Sequence, residues 1–119
     1  MISKFGLYIR QIREQKNDSL RNMADKLNIS AAFLSAMEVG RKTIPLDYVE
    51  KIKVIYNLSE KEAIDLENSI HETNERVPLE LALMNEAQKD VSLLFARKIK
   101  NADENLLNKL KEALLDEEN

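Results

Sequence analysis

The chain has 119 residues, enough for one domain or for one small domain with an appendage. No cysteine and a single histidine exclude a disulfide framework, a thiolate or His-rich metal site and a cysteine nucleophile; two glycines and two prolines exclude a Gly-rich phosphate loop. The net charge of −3 conceals an asymmetry: residues 1–58 hold ten Lys and Arg against six Asp and Glu, residues 59–119 eight against fifteen.

Charged residues at 33% and hydrophobic ones at 44%, with so little Gly and Pro, favour an all-α chain. No run of about 18 apolar residues exists to span a membrane, and the opening Met1-Ile2-Ser3-Lys4-Phe5 has no apolar secretion signal. A cytoplasmic protein is expected.

From Phe5 to Lys16, Phe5, Ile9 and Ile12 recur at helical spacing, with Tyr8 beside them. Asn17-Asp18 interrupts, and Ser19 can cap a second helix over Leu20 to Leu27, with Leu20, Met23, Ala24 and Leu27 on one side. Asn28 sits where that helix must stop sharply and suits a left-handed turn. Ile29 follows as a buried plug and Ser30 as a second cap. The third helix runs from Ala31 to Val39, burying Leu34 and Met37, and Gly40 closes it. Arg41-Lys42-Thr43 reads as an exposed basic loop. Pro45 then opens a fourth helix, Leu46 to Tyr56, with Leu46, Val49, Ile52 and Tyr56 on one face. Ser59-Glu60-Lys61-Glu62 is a capping box for a fifth helix that fades near Asn74.

The polar segment His71 to Arg76 marks the best boundary, dividing the chain into 1–74 and 77–119. His71, in a polar connector, is expected to be exposed and inert. Pro78 starts a short apolar helix with Leu79, Ala82 and Leu83; partial alternation from Val77 to Leu83 leaves a strand as the alternative. Val91, Leu94, Phe95 and Ile99 mark a further helix. Asp103 caps the last, striped by Leu106, Leu107, Leu110, Leu114 and Leu115.

Two short helices joined by a tight turn describe a helix-turn-helix. Residues 5–66 resemble the phage-repressor and Cro-like family of bacterial regulators, also called the xenobiotic-response-element family. The resemblance rests on Ile9-Arg10, Ile12-Arg13, Ser19, Met23-Ala24, Leu27-Asn28-Ile29-Ser30, Leu34-Ser35, Met37-Glu38, Gly40 and Pro45. It implies a five-helix DNA-binding domain followed by a helical extension, with the third helix reading duplex DNA. It also implies an ion pair between Arg13 and Glu38.

The family's base-reading positions carry Ala31, Ala32 and Ala36, which have no side-chain donor or acceptor and suit only apolar contacts such as the thymine methyl. Ser35 is the polar group among them. Phe33 either touches the DNA or packs on a neighbouring helix. Phosphate contacts are assigned to Arg10, Arg41 and Lys42, with Ser19, Ser30 and Thr43 as polar helpers; Lys4 and Arg21 are weaker candidates. Where many relatives begin the second helix with Gln, this chain has Leu20, and Asn17-Asp18 replaces the usual Gly-apolar turn.

Residues 77–119 hold too many apolar side chains for a solvated tail. They either pack on the first domain or form a dimerisation element, the latter favoured because a helix-turn-helix monomer contacts few base pairs. The carboxylates are expected on solvated faces, with no catalytic pair, and no cofactor or metal is implied. The expected function is a duplex-DNA-binding transcriptional repressor acting as a homodimer, not an enzyme. The alternative is a protein-binding module on the same fold, such as an antitoxin or inhibitor.

Overall fold

The computed structural model describes residues 1–116, and among them the chain forms seven α-helices: α1 (Lys4–Gln15), α2 (Leu20–Lys26), α3 (Ala31–Glu38), α4 (Tyr48–Tyr56), α5 (Glu60–Asn74), α6 (Glu86–Lys98) and α7 (Glu104–Asp116). No strand occurs among the described residues. The chain divides into two compact units, Met1–Val77 and a second starting at Pro78.

Serine starts four of the five helices in the first unit. The hydroxyls of Ser3, Ser19, Ser30 and Ser59 accept from the amides of Gly6, Asn22, Phe33 and Glu62, each satisfying a donor that the first helical turn cannot. The Ser59 cap is reciprocal, since the Glu62 carboxylate accepts from the Ser59 amide at 2.9 Å. The helix ends are equally uniform. After α1, α2, α3, α4 and α5 the chain passes through Asn17, Asn28, Gly40, Asn57 and Glu75, all with positive φ. At each, the amide of the next residue reaches back five residues, as Ile29 does to the Ala24 carbonyl and Arg41 to that of Ala36. This is the Schellman closure, and Gly and Asn are the residues that enter it at least cost. It turns the chain sharply enough for short helices to pack around one core.

That core is built from one face of each of the five helices. Phe5, Ile9, Met23, Leu34, Met37, Ile52, Leu66 and Ile70 are fully buried, with Ala24 small enough to be enclosed among them. Polar groups lock the periphery. The Asp18 carboxylate, just after α1, accepts from Lys26 Nζ of α2 and from Tyr56 Oη of α4, both at 2.7 Å. The Asn74 carboxamide, at the end of α5, clamps Ile44 by accepting from its amide at 3.0 Å and donating to its carbonyl at 2.9 Å.

Three expectations need correction. The fourth helix begins at Tyr48 rather than Leu46, because Pro45 to Asp47 form a turn in which the Tyr48 amide reaches the Pro45 carbonyl. Leu46 is consequently exposed, and Ile44 and Tyr48 fill the core in its place. His71 is not in a connector: it lies on α5, half-buried, with an Nδ1 atom that is buried and has no hydrogen-bond partner. Pro78 does not start a helix. Residues 78–80 are irregular and a single 3-10 turn covers Leu81–Leu83, before Asn85 and Gln88 cap α6 with a reciprocal box. Pro at this point holds Val77 out of the helical region.

In the second unit the Asp103 carboxylate accepts from the Leu106 amide at 2.8 Å and starts α7 as expected. No described residue from Pro78 onward is buried.

Candidate nucleic-acid interface

The third helix is held at its C-terminal end and left bare along one side. The backbone amide and the hydroxyl of Ser3, at the start of α1, both donate to the Glu38 carbonyl at 2.8 Å. Gly6 makes this approach possible, since a Cβ there would stand 2.2 Å from that carbonyl oxygen. Glu38 is 1% exposed, and its carboxylate is bracketed by Arg13 Nη1 at 2.8 Å and Arg10 Nε at 2.9 Å. The ion pair implied for Arg13 and Glu38 is therefore present, and Arg10 is its third member. A buried carboxylate without such partners would cost several kcal/mol (about 3–5 for a broken pair), so the triad fixes the angle at which α3 leaves α1.

Along α3, Leu34, Met37 and Glu38 point inward, and Ala31 and Phe33 pack partly against the core. Ala32 and Ser35 are exposed, Ala36 and Val39 half-exposed. Their spacing of i, i+3, i+4 and i+7 places these four on one stripe of the helix. The stripe is nearly free of hydrogen-bonding groups, Ser35 being its single polar side chain. Past Gly40, Arg41, Lys42 and Thr43 are all exposed, and neither cation has an ion-pair partner among the described residues. At the other end, the exposed Ser30 caps α3, so its first amides and the positive end of its dipole face solvent. Ser19 does the same for α2, with Arg21 exposed beside it.

The structure thus brings Ser30, Ala32, Ser35 and Ala36 onto or beside one face, continued by Arg41, Lys42 and Thr43. Ala31 and Phe33 are turned partly inward. Phe33 is half-buried, packing against the core with part of its surface exposed. Arg10 is committed to Glu38 and Lys4 to Glu72 at 3.2 Å. Leu20 packs against the core, which accounts for an apolar residue where relatives carry Gln. Val39 escaped the sequence reading, although its place one helical turn after Ser35 and Ala36 was a usable signal.

Not every carboxylate lies on a solvated face, as expected from the sequence. Glu38 is enclosed, and the hydrogen bonds of Asp18 with Lys26, then with Tyr56, hold its carboxyl well below the usual carboxylate range. Burial and the Asp18 bond push the Tyr56 hydroxyl upward. Both are structural ties between helices. Among the described residues, no group of three or more His, Cys, Asp or Glu gathers as a metal site, and no helix is long and apolar enough to cross a membrane.

Five short helices, a Schellman turn between α2 and α3, and a bare α3 face flanked by free cations define a helix-turn-helix domain. Residues 9–62, from α1 into α5, match the family described as helix-turn-helix. This segment is similar to phage-repressor and Cro-like helix-turn-helix domains, which supports a DNA-binding regulator in general. No curated protein and no solved structure matches it.

Proposed function

We propose that this regulator is a transcriptional repressor that reads duplex DNA sequence-specifically as a homodimer. Helix α3 lies in the major groove. Ala32, Ser35 and Ala36 meet the base edges, with Val39 extending the apolar stripe. The methyl-bearing face selects thymine methyl groups over polar edges, and Ser35 supplies the one hydrogen bond. Arg41 and Lys42 neutralise phosphates, helped by Ser19, Ser30 and Thr43. Ala31 and Phe33 seat the helix on its domain, and Arg10 acts through Glu38. Repression follows from occupying the operator. The second unit supplies the two-fold contact that joins two half-sites.

The observation that carries this reading is the exposed α3 stripe flanked by two unpaired cations. Because the stripe is poor in hydrogen-bonding groups, the same face also suits an antitoxin or inhibitor that docks on a protein. Selection of bound fragments from a random duplex pool, followed by sequencing, separates the two. A repressor enriches a two-fold symmetric motif rich in thymine at the contacted steps; a protein-binding module enriches none and shows almost no salt dependence on sheared DNA.

A further inference from the structure

Helices α6 and α7 frame a trough of about 390 Å³ whose lining, apart from Lys98, is apolar: Val91, Leu94, Phe95, Ile99, Leu106 and Leu110. Lys98 and Leu106 also line an adjoining hollow of about 550 Å³, which adds Arg97, Lys109, Asn101 and Asn105. None of the three cations there has an ion-pair partner among the described residues. The carboxylate in the hollow, Asp103, is engaged in capping the Leu106 amide. The concavity is thus apolar at one end and cationic at the other, within a half of the chain that is acidic as a whole. No described residue of this unit is buried, and an exposed apolar surface of this kind marks an interaction site.

An occupant has to be apolar and then anionic, in that order. Residues 114–118 read Leu114-Leu115-Asp116-Glu117-Glu118. Glu117 and Glu118 lie outside the described residues and enter by their charge. The molecule cannot fill its own trough with this segment. Leu106 and Leu110 form one wall of the trough, and α7 continues unbroken past them to Asp116, so Leu114 and Leu115 are held on that same rigid wall, about 6 Å or more beyond Leu110 along the helix axis, and cannot fold back into the trough.

We infer that the α7 end of a second copy docks here, Leu114 and Leu115 entering the trough and the three carboxylates meeting Arg97, Lys98 and Lys109. A two-fold axis makes the exchange reciprocal, each copy giving residues 114–118 and receiving its partner's. The inference rests on the homodimer proposed above and specifies its contact.

Charge exchange in the full chain tests it. One variant carries Arg97→Glu, Lys98→Glu and Lys109→Glu; the other carries Asp116→Lys, Glu117→Lys and Glu118→Lys. By sedimentation equilibrium, each alone should self-associate at least about ten-fold more weakly than the natural chain, because residues 116–118 then meet like charge. Mixed in equal amounts they should recover near-natural association, since both contacts in the mixed dimer regain opposite charges. Circular dichroism confirms that the exposed substitutions leave the helices intact. If both variants associate like the natural chain, or if mixing restores nothing, this docking is overturned while the homodimer stands on another surface. A natural chain that is monomeric at high micromolar concentration overturns the homodimer, and this contact with it.

Discussion

At the residue scale, two side chains show how local chemistry sets stability. Asp18 joins the end of α1 to α2 and α4 through bonds from Lys26, Tyr56 and the Ser19 amide. Its folded-state pKa is depressed, and its unfolded value is about 3.9. Between the two, the folded chain binds fewer protons than the unfolded one. The contribution is therefore complete above about pH 4 and is lost as pH falls toward the depressed value. Asp18→Asn should cost about 1–2 kcal/mol at neutral pH, and the difference from the natural chain should shrink steadily in thermal melts taken from pH 4 down to pH 2. A constant difference would mean that the charge contributes nothing. Glu75 is the second case. It holds φ +55 at the end of α5, the left-handed position that Asn or Gly fills in the other four closures. Glu75→Gly should raise stability by about 0.5–1 kcal/mol, seen as a Tm higher by a few degrees. A lower Tm would show that the Glu75 side chain contributes more than its backbone strain costs.

At the scale of the element, α3 and the loop after it make separable contributions. Ala32 is exposed in the first turn of α3, where a carboxylate is favourable to the helix dipole. Ala32→Glu should therefore leave the Tm unchanged or slightly raised while abolishing binding in a gel-shift titration, because the new charge faces the groove and its phosphates. Normal binding by this folded variant would take α3 out of the groove. The loop should behave differently. Replacing Arg41 and Lys42 together by Ala removes two phosphate contacts, so affinity should fall for operator and random DNA alike, and the log–log salt slope should flatten by about two units. An unchanged slope removes the loop from the interface. The α3 stripe was legible in large part from the sequence, since the Schellman turn at Asn28, the Ser30 cap and the inward Leu34 and Met37 together fix which side is left outside. The contact of Arg10 with Glu38 was not legible. Arg10 lies on α1 and Glu38 on α3, 28 positions apart, and only packing brings the guanidinium to the carboxylate.

At the scale of the whole molecule, the apolar residues that are buried among those described run from Phe5 to Ile70 and all lie in the first unit. A chain ending at Val77 should therefore fold, with the helical signal and Tm of that unit preserved. It should also be monomeric, as the trough and the α7 leucines would be gone. Affinity for an operator with two half-sites should then drop by about 10²-fold or more, while binding to one half-site changes little. Sedimentation equilibrium beside gel shifts on one and two half-sites checks both parts. A truncated chain that stays dimeric would move the two-fold contact into the first unit, and one that unfolds would make the later helices part of its core.

The sequence by itself determined what depends on near neighbours in the chain. The caps at Ser19, Ser30 and Ser59, the left-handed positions at Asn28 and Gly40 and the helical recurrence of apolar residues were readable from spacing and residue type, whereas the pairing of Arg13 with Glu38 came from the family resemblance alone. Tertiary structure alone decided what depends on approach across the chain. Gly6 owes its importance to a carbonyl 32 positions away, and Ile44 replaces Leu46 in the core because Asn74 clamps its backbone from the end of α5. The cationic hollow beside the apolar trough was likewise hidden in a half whose summed charge is acidic. The physical reason is one of range: capping and periodicity act within one or two helical turns, whereas burial and ion pairing are settled only when distant segments exclude water from one another.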